Sequence, residues 1–321
     1  MKSATQNWIN TIIGLVALLF ALFFLYRQLR TLSISDGLAY LHALSPVQIV
    51  LALLATALSY LILTGYDRLS LRFLEKSLPY PKVAFAAFVS YAISKNLGIS
   101  WLTGGSLRYR FYSRWGMTLV EISKLVLFNT TTFLCGFFFW GGLALLFFPP
   151  RTEIISFLRG PLLPAFGIAL WAVLLLYLLI CSQPHKTIRF RNHVWHLPPL
   201  SIALSQVVLG AVDVLATLGV LYLLLPSRTV SFLTLLTAYF IGEVVAILTH
   251  APGGIGVFES TLLAVLGQEI AASALFPALL LYRLVYFFVP LVLGMILLGI
   301  DEVRDRPGSI DILLHRKTEN R

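Results

Sequence analysis

Seven ionisable residues lie within or beside long apolar runs of this sequence, where water cannot easily solvate them. They are Lys95, Glu121, Lys124, Asp213, Glu243, Glu259 and Arg283. A charge at the centre of a lipid bilayer costs roughly 2.5–3.5 kcal/mol, so such residues face one another or a polar cavity. We therefore interpret them as candidates for function. The alternative is a buried structural ion pair, such as Asp213 or Glu259 with Arg283.

Polar neighbours extend this set at helical spacing. His250 lies seven residues after Glu243 and so shares its helix face, and Tyr282 and Tyr286 flank Arg283 on one face of the last run. We predict an intramembrane polar path formed by Lys95, Asp213, Glu243, His250, Glu259, Tyr282 and Arg283. In such a path the acids pair with basic headgroups, neutralise arginines between substrates or carry a proton.

Two segments, 91–116 and 239–267, interrupt the apolar pattern in a related way. Each opens with a Tyr followed two residues later by Ile, carries a charge in an apolar stretch and reaches a Gly-Gly pair. Backbone that leaves a helix at membrane depth must be buried in protein or line a wet cavity. Transporters built from repeats use such broken helices to bind anionic groups near the midplane. The pattern predicts an internal repeat of two broken, re-entrant segments, with ordinary glycine turns as the alternative.

The residues around these pairs suit a phosphate. Glycine lets backbone N–H groups approach an anion closely, Ser106 is a candidate N-cap, and Pro252 stops the preceding helix. Three arginines beside an aromatic run suit a bidentate clamp, although an interfacial belt of snorkelling arginines is the alternative. The candidate headgroup-binding residues are Arg108, Arg110, Arg114, Gly104, Gly105, Ser106, Gly253, Gly254 and Gly256.

Composition identifies the elements that must position these side chains. The chain has 321 residues, of which 58% are hydrophobic and 12% charged. Soluble domains have about 45–50% apolar and about 25% charged residues, so this chain cannot cover a water-facing surface. This excludes a soluble enzyme, a secreted disulfide scaffold and a disordered chain. The excess of 24 Lys and Arg over 14 Asp and Glu marks membrane topology and anionic lipid neighbours; we expect no nucleic-acid partner.

The predicted fold is all-α, a polytopic helical membrane protein with about eight crossings. The apolar runs are 8–26, 46–66, 83–98, 119–148, 162–181, 200–225, 231–250 and 276–299. We expect a single transmembrane domain over 1–300 and a short charged cytoplasmic tail over 301–321. Lys and Arg counts favour both termini inside, which leaves the loops 108–114 and 186–191 outside; Arg27 and Arg30 count against this orientation.

Motifs for other chemistries are missing from the sequence. It contains no Walker A loop, no HExxH, no GxSxG and no C-x-x-C. His193 and His196 have weak metal-ligand spacing but lie in a basic connection, and Asp301 and Glu302 lie at the membrane exit. We therefore predict no cofactor, no metal site and no enzymatic activity.

Two motifs carry a resemblance to a known family, LTGGSLRYRFYSRWG at 102–116 and APGGIGVFE at 251–259. They resemble signatures of the lysylphosphatidylglycerol synthase transmembrane-region family, the membrane part of the multiple-peptide-resistance proteins and of stand-alone relatives. The resemblance covers nearly the whole chain and implies broken helices around a lipid-sized cavity. It places the family's characteristic residues at Arg108, Arg110, Gly253, Gly254 and Glu259. We expect no soluble synthase domain after Arg321, so the synthase activity is not carried over.

Residues and resemblance together predict a lipid translocase of the bacterial inner membrane. It would move an anionic or aminoacylated phospholipid, or a related lipid, between leaflets through a polar cavity. The alternative is a non-catalytic lipid-binding accessory protein that recruits a separate synthase or glycosyltransferase. A lipid-modifying enzyme is the weakest interpretation, because no nucleophile–base pair is visible. The expected partners are membrane phospholipids and a separate lipid-modifying enzyme; the sequence does not determine the oligomeric state.

Overall fold

The computed structural model describes residues 40, 44–97, 100–148, 162–183, 187–190, 193–225, 230–249 and 252–304. The α-helices are α1 Pro46–Phe73, α2 Tyr80–Leu97, α3 Ser100–Arg114, α4 Leu119–Phe147, α5 Leu162–Cys181, α6 Leu200–Leu224, α7 Phe232–Thr249, α8 Val257–Leu266, α9 Ala272–Tyr282 and α10 Val289–Arg304. A short 3₁₀ turn, Pro252–Gly254, precedes α8, and a π-helical segment, Arg283–Phe288, joins α9 to α10. The predicted helical architecture is confirmed. A small antiparallel hairpin, β1 Thr187–Phe190 with β2 His193–His196, occupies the basic connection between α5 and α6.

Six helical stretches are long and apolar enough to cross a membrane. They are α1, α4, α5, α6, α7 and the continuous stretch Ala272–Arg304. These match six of the eight predicted runs. The run 83–98 forms α2, which belongs to a hairpin described below. The run 8–26, the tail after Arg304 and His250 lie outside the described residues.

Capping explains where two of the long helices begin. Ser45 Oγ accepts a hydrogen bond from the backbone N–H of Gln48 (3.3 Å), and Gln48 Oε1 accepts one from the Ser45 N–H (3.1 Å). Thr118 and Glu121 form the same reciprocal pair at the start of α4. Glu121 also contacts Lys76 at 2.6 Å. Its position beside an apolar run therefore reflects helix capping at a membrane end.

One end of the bundle is basic. The last turns of α1, α3 and α10 and the first turns of α2 and α4 meet there, joined by short connections and by ion pairs between distant helices. The α5–α6 connection lies at the same end, because Gln206 near the start of α6 donates to the Phe128 carbonyl in α4. We call this the basic end; its described cations are Arg68, Arg72, Lys76, Lys82, Arg110, Arg114, Lys124 and Arg304.

The other end of the bundle lacks cations among its described residues. Thr237 near the start of α7 donates to the Phe148 carbonyl at the end of α4, and Tyr40 donates to the Leu224 carbonyl at the end of α6. We call this the opposite end. The described loop regions there contain neither Lys nor Arg.

Helices α2 and α3 form an antiparallel hairpin that leaves from and returns to the basic end. A Cβ on Gly104 would lie 3.2 Å from Ser94 Oγ, and the rings of Phe85 and Phe111 lie 5.3 Å apart. The count of crossings predicted that the 108–114 arginines lie on the opposite side of the membrane from Arg68. Because α2 and α3 form a hairpin, these arginines instead share an end with Arg68. We call α2 and α3 the basic-end hairpin (80–114).

Helices α7 and α8 form a second antiparallel hairpin, which leaves from and returns to the opposite end. A Cβ on Gly242 in α7 would lie 2.6 Å from a Leu262 methyl and 3.0 Å from the Phe258 ring in α8. We call it the opposite-end hairpin (232–266). The two hairpins therefore have inverted topology, which is the arrangement of broken-helix repeats in transporters.

The tips of the two hairpins meet. A Cβ on Gly253 would lie 3.0 Å from the backbone oxygen of Asn96, and the Asn96 amide donates to the Phe287 carbonyl in the long last span. Ser59, Asp213 and Tyr286, all beside these tips, lie near the middles of their spans. The meeting point is therefore close to mid-membrane depth.

The two glycine pairs occupy different places in their hairpins. Gly253, Gly254 and Gly256 have φ of 61°, 63° and 81°, so the second break requires glycine. The first break falls between Leu97 and Ser100, and Gly104, Gly105 and Ser106 lie inside α3. Gly104 instead permits close packing of α3 on α2, and Ser106 is not at a helix start.

Candidate functional site

A buried hydrogen-bond network lies beside the hairpin tips. Lys95 Nζ in α2 lies 2.5 Å from the Tyr286 hydroxyl of the last span. That hydroxyl also contacts Thr217 Oγ1 at 2.7 Å and Ser59 Oγ at 3.0 Å. Three helices, α1, α2 and α6, therefore converge on one phenol of the last span. We call Ser59, Lys95, Asp213, Thr217 and Tyr286 the central network.

Asp213 is the acidic end of this network. Its carboxylate accepts hydrogen bonds from Ser59 Oγ at 3.2 Å and from the Tyr66 hydroxyl at 3.0 Å, and the residue is 4% exposed. Among the described contacts, Asp213 forms no ion pair with Arg283, which was one of the alternative pairings considered above. A lysine and a carboxylate are thus connected through hydroxyl groups, which can both donate and accept hydrogen bonds.

Aromatic rings enclose the lysine and connect it to the second hairpin. Lys95 Nζ lies 4.7 Å from the Tyr286 ring centroid and 5.7 Å from that of Tyr60. The Tyr286 ring stacks on Tyr282 at 5.4 Å, and Tyr282 stacks on Phe258 of α8 at 6.2 Å. The predicted path residue Tyr282 therefore lies between the central network and the opposite-end hairpin.

Glu243 faces the same region from α7. Its carboxylate interacts with the Tyr239 hydroxyl and lies within electrostatic range of both Lys95 and Arg283. Glu243 is partly buried. It therefore adds a second acid near Lys95.

An ion pair holds the second hairpin tip. Arg283 donates to the Glu259 carboxylate and to the Gly253 carbonyl. Glu259 Oε2 in turn accepts the Gly256 N–H at 2.8 Å. The pairing of Glu259 with Arg283, weighed above as an alternative, occurs, and it braces the left-handed glycine turn. The π-helical segment begins at Arg283, and such segments frequently occur at functional sites.

Arg108 belongs to a second buried cluster, centred on an acid that the sequence interpretation missed. Asp67 in α1 is fully buried, and Arg108 binds it in a fork, Nη2 to Oδ1 at 2.8 Å and Nε to Oδ2 at 3.0 Å. Tyr112 and Asn129 also donate to Asp67, at 2.8 and 2.6 Å. The Arg108 guanidinium lies 4.4 Å from the Tyr91 ring centroid. Asp67 was not among the predicted buried charges because it lies one residue past the apolar run 46–66.

Arg110 and Arg114 reach the end of the last span. Arg110 contacts Asp301 at 3.2 Å and Glu302 at 2.6 Å, while Arg114 contacts Asp301 at 2.7 Å. Arg110 is only 2% exposed. The two acids that the sequence placed at the membrane exit therefore tie α3 to α10. All three arginines of the predicted phosphate clamp contact carboxylates, so a lipid phosphate would have to displace an acid to bind them.

Two predicted headgroup residues line a groove. Gly105 and Ser106, with Tyr109, line a groove of about 600 Å³ between α3 and α4. Over the residues that the structure describes, no three His, Cys, Asp or Glu side chains come together as metal ligands.

Known proteins are similar in sequence to this chain over most of its length. Residues 11–294 match the family described as lysylphosphatidylglycerol synthase TM region. The chain is 34% identical over 265 residues to an uncharacterised protein of Synechocystis, covering 81% of this chain and 78% of that one. It is 28% identical over 242 residues to the inner membrane protein YbhN of Escherichia coli, covering 74% and 75%.

A longer enzyme contains a related region. The chain is 23% identical over 287 residues to phosphatidylglycerol lysyltransferase of Staphylococcus aureus, covering 87% of this chain but only 32% of that enzyme. Together with its six apolar spans, these matches identify a multi-pass protein of the bacterial inner membrane. The chain belongs to the lysylphosphatidylglycerol synthase transmembrane-region family.

Proposed function

We propose that this protein moves an anionic or aminoacylated phospholipid, or a related lipid, between the two leaflets of the inner membrane. One observation carries the proposal: two hairpins enter from opposite ends and touch at mid-span, beside a buried network of charges. Lipid exchange requires a polar headgroup to pass this depth. A polar site between two oppositely directed re-entrant elements suits alternating access from the two leaflets.

The central network supplies the polar surface that a headgroup needs at this depth. Lys95 would attract the lipid phosphate, and Asp213 and Glu243 would attract an ammonium group of an aminoacylated or zwitterionic headgroup. The hydroxyls of Ser59, Thr217 and Tyr286 would replace hydrogen bonds that the headgroup loses on leaving water. In the structure the tips touch, so passage requires the two hairpins to separate.

Glu259 and Arg283 would set the shape of the moving tip. Their ion pair holds the Gly253 carbonyl and the Gly256 N–H, and it links the tip to the last span. The tip is thereby held as one unit that can move against Asn96. The clusters around Asp67 and Asp301 would keep the basic-end hairpin fixed.

We further propose that the basic end faces the cytoplasm. Cytoplasmic loops carry an excess of Lys and Arg, and the described cations outside the core lie at this end. The end of α10 lies there too, so the C-terminal tail would be cytoplasmic.

A second candidate function is a lipid-binding accessory role without transport. It is favoured by the match to a phosphatidylglycerol lysyltransferase, in which a related membrane region occurs within a longer enzyme. A separate lipid-modifying enzyme would then be the partner, and this chain would carry no enzymatic activity itself. Co-purification of such an enzyme, without leaflet exchange by the purified chain, would favour this role.

Leaflet exchange in reconstituted vesicles tests the proposal. Fluorescent phosphatidylglycerol, lysyl-phosphatidylglycerol and phosphatidylcholine are placed in both leaflets, and a membrane-impermeant quencher then reports the fraction that reaches the outside. We expect the protein to accelerate exchange of at least one headgroup over protein-free vesicles. Equal rates with and without protein, for all headgroups, would refute transport.

A further inference from the structure

A groove lies between α1 and α6, on the outer face of the bundle and apart from the hairpin tips. It has a volume of about 910 Å³. Its walls combine an apolar face of α6 with a cationic stretch at the end of α1. The residues that matter here are Gly65, Arg68, Arg72, Ser205, Val208 and Val212.

The α6 side of this groove faces lipid. Val208 is 62% exposed and Val212 is 44% exposed, and both belong to a candidate membrane span. Gly65 in α1 leaves room at the floor, where Leu209 packs 3.3 Å from the position of a Cβ. Exposed aliphatic side chains along a concave surface at this depth suit an acyl chain.

The cations lie at one end of the groove. Arg68 donates to the Leu78 carbonyl at 3.3 Å, and Arg72 lies in the last turn of α1. Both are exposed, and neither forms an ion pair with any described residue. Lys76, the third cation, is already neutralised by Glu121. The groove therefore presents two arginines without a carboxylate, in contrast to the paired arginines of α3.

The length of the groove matches one leaflet. Its deep end, at Gly65 and Val212, adjoins Tyr66 and Asp213 near mid-span. Arg68 and Arg72 lie nine and thirteen residues beyond the mid-span Ser59 along α1, which is about 14 Å and about 20 Å at the rise of an α-helix, toward the basic end. Half of a bilayer core is about 15 Å thick. A lipid with its phosphate at the arginines would thus place its acyl chain beside the α6 face of the groove.

We propose that this groove binds one anionic phospholipid from the leaflet at the basic end, with its phosphate on Arg68 and Arg72 and an acyl chain against α6. The site rests on the proposed function only in taking lipid as the ligand, and it holds for an accessory protein as well as for a translocase. Because its deep end borders Asp213, it would supply lipid to the central network from one leaflet.

Lipid binding by the purified full-length chain in detergent tests this site separately from transport. Fluorescent phosphatidylglycerol and phosphatidylcholine are titrated onto the wild type, the double variant Arg68→Gln with Arg72→Gln, and the groove-filling variant Ser205→Trp. Arg304→Gln is the matched control, because Arg304 is an exposed arginine at the same end but outside the groove. Inorganic phosphate is added as a competitor to separate headgroup binding from binding of a free anion.

We expect the double variant to weaken phosphatidylglycerol binding about 30-fold, from two lost lipid–arginine attractions. Phosphatidylcholine binding should weaken less, because its choline offsets the charge of the phosphate. Ser205→Trp should weaken binding of both lipids, and Arg304→Gln of neither. If millimolar phosphate displaces phosphatidylglycerol and Ser205→Trp does not weaken its binding, the arginines bind a free anion, and a lipid site is refuted. Wild-type phosphatidylglycerol affinity in both the double variant and Ser205→Trp would overturn the proposal, whatever the result of leaflet exchange.

Discussion

At the scale of single residues, this protein stabilises buried charge by surrounding each ion with donors or acceptors. Asp67 accepts hydrogen bonds from Arg108, Tyr112 and Asn129, which come from α3 and α4. The sequence predicts that Asp213, within an apolar run, and Glu259, beside one, each face another charge or a polar cavity. It does not show their partners, because a side chain 150 residues away leaves no local pattern; Ser59 and Asp213 are separated by 154 positions.

The first prediction concerns the Asp67–Arg108 pair. Asp67→Asn should reduce the free energy of unfolding by about 3–5 kcal/mol, because it leaves the Arg108 guanidinium buried without a counter-charge. Thermal unfolding of the purified protein in detergent measures this. Arg108→Gln in the same chain should recover part of the loss. Additive losses in the double variant would show that the two side chains do not act as a pair.

The second prediction concerns the glycine turn at the second tip. Gly253→Ala should lower stability by about 1–2 kcal/mol, because alanine at positive φ is strained and its Cβ would press on the Asn96 carbonyl. The matched control is Gly219→Ala, a helical glycine with no heavy atom within 4 Å of its Cβ position. Helix propensity predicts that this control is neutral or stabilising. Equal effects of the two substitutions on the unfolding midpoint would argue against a strained tip.

At the scale of elements, the two helix breaks show how far the sequence predicts the path of the chain. The glycine pairs predict two broken segments, and both segments form hairpins. The pattern places the first break at Gly104-Gly105, whereas α2 ends at Leu97 and α3 begins at Ser100. Glycine inside a helix allows close helix packing as readily as it allows a turn, and the two uses cannot be separated without knowing which helix lies opposite.

A third prediction follows from such a packing glycine in the scaffold. Helices α4 and α6 approach so closely that a Cβ on Gly136 would lie 2.0 Å from the backbone carbon of Gly210. Gly136→Ala should therefore force the helices apart and cost about 1–3 kcal/mol of stability. Gly299→Ala, with no heavy atom within 4 Å, is the control. An unchanged unfolding midpoint for Gly136→Ala would contradict this close crossing.

At the scale of the whole molecule, the basic end and the inverted hairpins define a direction across the membrane. The sequence predicts about eight crossings, whereas six of the described helical stretches are long and apolar enough to cross, and the α2–α3 hairpin returns to the basic end. The class of protein follows from composition, because apolar content is a local property. The side of the 108–114 arginines does not, because it depends on whether α2 crosses or turns back. The structure shows that it turns back, and among the described residues the loop cations then lie at the basic end.

The fourth prediction is the topology. In a chain with buried Cys135 and Cys181 replaced by Ala, single cysteines are placed at exposed Ser77 and exposed Ser231. In intact cells, a membrane-impermeant maleimide should label Ser231→Cys and not Ser77→Cys, and in inside-out vesicles the reverse. Labelling of both positions from the same side would contradict the assignment of the basic end to the cytoplasm.

The measurement that tests the central claim most directly is leaflet exchange by variants of the central network. Lys95→Met and Asp213→Asn remove the two charges that the hydroxyls of Tyr286 and Ser59 connect. Glu269→Gln, an exposed acid at the opposite end, is the control. We predict that, in vesicles containing equal amounts of folded protein, both network variants lose at least 10-fold in exchange rate while the control keeps the wild-type rate. Wild-type exchange by folded Lys95→Met and Asp213→Asn would contradict a lipid path through the hairpin tips.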